Sequence, residues 1–174
     1  MIDHRQLLDS KKIDNPIYES MDKSYHINNT EIKMLYPPAG FVHRIRKEGW
    51  RDTNNNSIVV KVIFNSISFL FPGDIEAAAE RELVSINRND LKSTILIAPH
   101  HGSKTSSTNL FIKRVDPEIV IFSTGYRNWF HLPHKSVVNR YNLLGCKLYN
   151  TGKQGAVTIC TNGKTFTAYS HADN

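Results

Sequence analysis

Apolar and polar positions alternate through Glu31–Tyr36 (EIKMLY), the pattern of a half-buried strand, and Pro37-Pro38 closes it because proline cannot donate to a ladder. Residues 1–30 ahead of it are polar and aperiodic, and read as an irregular lead-in of loop and short helix or as the remnant of something truncated. The charged stretch Phe41–Asn56 ends in Asn54-Asn55-Asn56 and predicts a surface loop. Ser57–Phe64 and Ile67–Phe71 are β-forming runs around Asn65-Ser66, which predicts a hairpin. Glu76–Val84 (EAAAERELV) is the strongest helical segment. Beyond it the pattern alternates: strand Thr94–Ala98, helix Thr108–Arg114, strand Ile119–Ser123, then helix Ser136–Leu144 ended by Gly145. Lys147–Asn150, Ala156–Thr161 and Thr165–Tyr169 read as closing strands, the last two joined at Asn162-Gly163. Strand-helix alternation mixed with hairpins predicts an α/β fold, a mixed β-sheet with outer helices. No internal linker divides residues 31–174, so they form one domain.

The chain of 174 residues is long enough to bury a core, and its 40% apolar content is spread in strand-like runs that argue against disorder. Lys and Arg number 22 against 16 acids, a net charge of +6, which favours approach to polyanions such as DNA or an anionic membrane surface. Cys146 and Cys160 each sit in an apolar stretch and read as two buried thiols rather than a bridge. No apolar run approaches the ~20 residues of a membrane span, and Met1-Ile2-Asp3-His4-Arg5 does not open a signal peptide, so the chain is expected to be soluble as it stands.

Three segments carry candidate chemistry, each where a strand gives way to a loop, the usual place for sites in open α/β sheets. Phe71-Pro72-Gly73-Asp74-Ile75-Glu76 puts a carboxylate after a strand, able to bridge metal ions or to act as the N-cap of the next helix. Ala98-Pro99-His100-His101-Gly102-Ser103-Lys104 pairs two imidazoles whose rings point different ways, one suited to ligation and the other to proton transfer or phosphate contact. Its Thr105-Ser106-Ser107 equally suits capping of the following helix. Gly125-Tyr126-Arg127-Asn128-Trp129-Phe130-His131-Leu132-Pro133-His134 offers a phosphate clamp in Arg127 and aromatics able to stack on bases, though Trp129 and Phe130 taken singly read as packing residues. Of the chain's 8 histidines, four lie between His100 and His134, which points to a site without naming its chemistry.

The order of these motifs resembles a known family. Gly73-Asp74-Ile75-Glu76, then His100-His101-Gly102-Ser103 with Ser106-Ser107, then Gly125-x-x-Asn128 running into Pro133-His134, is similar to the metallo-β-lactamase-like domain at the carboxy terminus of ComEC. Leu35-Tyr36-Pro37-Pro38, Asn55-Asn56-Ser57, Asn150-Thr151 and Gly155-Ala156 extend the likeness over roughly residues 31–162. The resemblance implies the carboxy-terminal part of a metallo-β-lactamase αββα sandwich, in an inner-membrane channel protein of natural transformation. There the domain would lie on the outer face and degrade the DNA strand that is not imported. It implies Asp74, His100 and His134 as ligands of a divalent metal (zinc or manganese), His101 as proton donor to the leaving oxygen, and Ser103 and Asn128 as groups orienting phosphate. The family's main metal motif, His-x-His-x-Asp-His, lies upstream of everything matched, and nothing between Met1 and Thr30 reproduces it. A partial domain of this kind is expected to hold its metal weakly or not at all, to be inactive alone, and to leave apolar surface uncovered where a partner sheet is missing. Two other readings stay open: a non-catalytic DNA-handling module with a degenerate metal site, and a small-molecule phosphoester or lactone hydrolase of the same fold. The DNA partner would be a single strand during uptake.

Overall fold

The structure is a computed structural model that describes residues 24–38, 41, 53–87 and 89–173. Its main sheet has seven strands in chain order: β1 (Ser24–Ile27), β2 (Thr30–Tyr36), β3 (Val59–Phe64), β4 (Ile67–Phe71), β5 (Ile95–Ile97), β6 (Ile119–Phe122) and β7 (Lys147–Asn150). Pairing is antiparallel from β1 to β4 and parallel from β4 to β7. The parallel strands are linked by α1 (Ala77–Ile86), α2 (Asn109–Val115) and α3 (Lys135–Leu143). Helix α4 (Thr151–Gln154) then leads into a two-stranded sheet of β8 (Val157–Thr161) and β9 (Phe166–Ser170). The predicted mixed α/β fold is observed, with every hairpin and crossover of residues 57–170 within a few residues of its expected place.

Alternation along the central strands sorts the core into two layers. Leu70, Leu96, Val120 and Phe122 face the three crossover helices and pack with Ala79, Leu83, Phe111, Ile112, Val137 and Tyr141. Ile67, Ile95, Ile119 and Ile121 face the other way, where Val157, Ile159, Phe166 and Ala168 of the small sheet cover them. That sheet is pinned by Tyr149 donating to the Ala168 carbonyl at 2.8 Å, and by Ser66 donating to the Gly163 carbonyl through both its amide and its hydroxyl. The apolar second face is therefore covered in part from within the chain, where the sequence implied that it would lie open.

Three expectations change. Ser24–Ile27 is an edge strand rather than irregular lead-in; all four residues are exposed, so no buried face imprinted a period on the sequence, and the turn at Asn28 (φ +52°) makes the pairing. What was expected of residues 1–23 lies outside the described residues. Thr53–Asn56 is a 3-10 turn with Asn55 buried, not surface loop, while residues 42–52 are outside the description. Cys160 is exposed although Cys146 is buried, because the apolar run around Cys160 is a strand whose alternate residues face solvent.

Candidate functional site

Because β4, β5 and β6 run parallel, the loops that leave them emerge at one edge of the sheet. Two backbone hydrogen bonds stitch these loops together. The His100 amide donates to the Gly73 carbonyl at 3.0 Å, joining the first loop to the second, and the His134 amide donates to the Gly102 carbonyl at 2.9 Å, joining the second to the third. His100 and His101 both adopt left-handed backbone, with φ of 47° and 55°, a conformation that non-glycine residues hold only under constraint. Gly102 follows at φ +81°, and a Cβ there would sit 2.7 Å from both the Phe122 ring and Pro133, so only glycine lets the three loops close on each other.

The resulting cavity, of about 500 Å3, is lined by Asp74, His100, His101, Ser103, Lys104 and His134 with Phe130 and Leu132. Five of the six predicted site residues are thus brought together. Asn128 is not among them. Its side-chain amide donates to the Leu132 carbonyl and its oxygen accepts from the Leu132 amide, both at 2.8 Å, so both ends of the group are spent in shaping the 128–132 turn. It lines a neighbouring cleft instead.

Asp74 is not the cap of α1. Asn55 does that work from a distant segment: its Oδ1 accepts from the Glu76 amide at 2.9 Å and the Ala79 amide at 3.4 Å. The Asp74 carboxylate is left half-exposed, with Oδ1 3.6 Å from His101 Nε2. His101 Nδ1 lies 2.7 Å from the Ser123 carbonyl, which only accepts, so Nδ1 carries the proton. His101 therefore turns Nε2 toward Asp74 as a free lone pair, or as an N–H when the ring is protonated. His100 points elsewhere. Its Nδ1 is 3.2 Å from Glu76 Oε1, within a network in which the Thr105 hydroxyl donates to the same Glu76 oxygen at 2.8 Å and contacts the Ser103 hydroxyl at 2.9 Å. His134 caps α3, its Nδ1 accepting from the Ser136 amide at 3.3 Å, which leaves Nε2 as the protonated nitrogen of the neutral ring. That is the tautomer of a hydrogen-bond donor, whereas the environment of His101 is that of a lone-pair donor. Between the two adjacent histidines, the geometry gives Asp74 the second as its partner.

A divalent ion needs three or four protein donors to be held firmly. Among the described residues no group of three or more His, Cys, Asp or Glu is placed to hold a metal ion. Asp74 pairs with His101 and Glu76 with His100, and the His134 Nδ1 lone pair is taken by the Ser136 amide. The described residues alone do not fit the metal implied by the resemblance.

Glu80 escaped the sequence reading. Fully buried on α1, its carboxylate accepts from the Ser107 amide and from the Thr108 amide at 2.8 Å, fixing the loop that follows the histidines. Arg140 donates to the Ser106 and Ser107 carbonyls, and Tyr141 to the Ser107 hydroxyl, so Ser106 and Ser107 act as structure. Burial pushes the Glu80 carboxyl above the usual range and is only partly offset by these N–H donors. The signal was available: Glu80 falls on the same helical face as Leu83 and Val84.

No family model matches the chain. Curated proteins do. It is 41% identical over 106 residues to the uncharacterized protein YcaI of Escherichia coli, a match covering 61% of this chain. It is 37% identical over 106 residues to the competence protein ComA of Neisseria gonorrhoeae, and 30% identical over 122 residues to the ComE operon protein 3 of Bacillus subtilis, covering 61% and 69% of this chain. The chain is homologous to competence proteins of the ComEC family. These matches span only 14–16% of the length of those relatives. Among the described residues no helix is long and apolar enough to cross a membrane.

Proposed function

We propose that this chain handles DNA during uptake in natural transformation, as one part of a hydrolase domain whose remaining donors lie beyond the described residues. On its own it binds the phosphodiester backbone and does not cut it. The convergence of three strand-end loops on one cavity, with Lys104 and His134 among its lining residues, is the observation that carries this reading. Homology to competence proteins supports DNA as the polymer.

The chain's own groups suit a phosphate. Lys104 supplies a cation, His134 is a donor positioned by the start of α3, and the Ser103 hydroxyl lies within the Thr105–Glu76 network. Asp74 and His101 face each other as acceptor and base, and protonation of His101 Nε2 lets that imidazolium neutralise the carboxylate beside an incoming phosphate. Such a pair holds and returns a proton next to the backbone. Cleavage needs, in addition, a way to activate water and to stabilise charge on phosphorus, and the described residues do not assemble one. In this reading the chain forms the carboxy-terminal part of a metallo-β-lactamase αββα sandwich.

The test uses end-labelled DNA, single-stranded and duplex, with the 174-residue chain in manganese, in zinc and in chelator. Binding without cleavage in every condition is expected. Metal-stimulated cleavage by the chain alone, abolished by Asp74→Ala, would overturn the reading, as would failure to bind DNA at all.

A further inference from the structure

Beside the Asp74 cavity lies a larger cleft of about 770 Å3, formed by the 124–133 loop, the start of α3 and the start of α4. Its charged lining is all of one sign: Arg127, Lys135 and Lys153, with His131 beside them and no carboxylate among the lining residues. Its floor is rigid. The Thr151 hydroxyl donates to the Thr124 carbonyl at 2.8 Å and accepts from the Thr124 amide, and the Thr124 hydroxyl donates to Asn150 Oδ1. A Cβ on Gly152 would collide with the Gly125 carbonyl, so the two segments pack backbone to backbone.

Above this floor the loop presents three aromatic rings to solvent: Tyr126, Trp129 and Phe130 are 76%, 89% and 80% exposed. Exposed rings are costly unless something covers them in use, and three on one short loop exceed the scattered apolar residues of an ordinary surface. The loop is not slack. Asn128 ties it to Leu132, and Arg127 lies 5.2 Å from the Tyr126 ring centre, so that ring and that cation are held together. Leu132 lines both this cleft and the Asp74 cavity, which makes the aromatic loop the partition between them.

We propose that this loop is a base-stacking platform for single-stranded nucleic acid, with the backbone running through the adjoining cationic cleft toward the Asp74 cavity. The inference rests on the DNA-handling reading and goes beyond it by naming the residues that take the bases and the track of the backbone. Bases of any sequence have π faces, so Tyr126 and Trp129 give affinity without sequence preference, and Arg127, Lys135 and Lys153 neutralise phosphates. A duplex hides those faces in its stack. A lipid surface would also attract aromatic and basic residues, but it is a plane, whereas here the cations line a cleft.

The experiment measures binding of a short fluorescent oligothymidylate, and of a duplex, to the full chain and to Tyr126→Ala, Trp129→Ala and the double variant. Tyr25→Ala, an exposed tyrosine at the far edge of the sheet, is the control. The double variant should bind the oligothymidylate about tenfold or more weakly, from loss of stacking, with a much smaller change for duplex. Trp129→Phe should retain affinity while removing the share of tryptophan quenching on binding that Trp129 contributes, the chain's other tryptophan being Trp50. Unchanged oligothymidylate affinity in the double variant would overturn the platform and leave the DNA-handling reading standing. Absence of nucleic-acid binding by the unmodified chain would remove both. Binding to phosphatidylglycerol vesicles that depends on Trp129, without oligothymidylate binding, would assign the loop to a membrane surface and overturn the proposal.

Discussion

Replacing Glu80 by alanine should be among the most destabilising single changes that alter no apolar packing. The carboxylate is fully buried and accepts from two backbone amides, those of Ser107 and Thr108. Its removal orphans both donors, at about 1–3 kcal/mol each, and leaves Arg140 without its nearby carboxylate. The expected loss is about 3–5 kcal/mol, against the ~5–15 kcal/mol that stabilises an ordinary domain. Glu80→Gln keeps one acceptor but turns an NH2 toward the other amide, so about half that loss is expected. Acidity supplies a second readout. Because burial raises the folded pKa above the usual 4.5, the native state holds its proton longer than the unfolded chain. The Glu80 contribution is therefore greatest below pH 4.5 and is lost as pH rises through the raised folded value. The stability difference between the unmodified chain and Glu80→Gln, from urea unfolding followed by circular dichroism, should fall across that window. A Glu80→Ala loss below about 1 kcal/mol, or a difference flat with pH, would refute the reasoning.

Asn55→Ala should cost about 1–2 kcal/mol by removing the cap of α1, and should shift the His100 imidazole resonances through Glu76 in an NMR spectrum. Gly102→Ala, at φ +81° with Phe122 and Pro133 in the way, should lower stability by about 2 kcal/mol or more, read as a fall in Tm. Asp74→Asn removes a negative charge from the cavity. In chelator it should raise affinity for DNA by about two- to threefold, whereas a lowered affinity would show that the carboxylate serves the ligand directly.

The central strands were readable because burial on both faces writes a short continuous apolar run into the sequence, as in Ile119–Phe122, where Ile119 and Ile121 pack on one side and Val120 and Phe122 on the other. The turn at Asn162-Gly163 and the stop at Gly145 were readable because backbone at positive φ restricts residue type. The site was readable as a set of loops but not as a set of roles. Which histidine meets Asp74 depends on the Ser123 carbonyl, 22 residues away in sequence. Asn54-Asn55-Asn56 looked like solvent-facing loop because nothing local shows that Asn55 caps a helix 21 residues on. For Asn128 the phosphate contact is implied by resemblance, and nothing in the sequence shows that its side chain bonds the backbone groups of Leu132. Ser24–Ile27 left no trace, since an edge strand exposed on both faces has no pattern to write.

The most direct test of the account is the affinity of the chain for single-stranded DNA in metal chelator, measured as salt is raised. Lys104, Arg127, Lys135 and Lys153 lie along the proposed path. If each neutralises one phosphate, the logarithm of affinity should fall with the logarithm of salt at a slope of roughly −3. Binding that is insensitive to salt, or that appears only when a divalent metal is added, would contradict it.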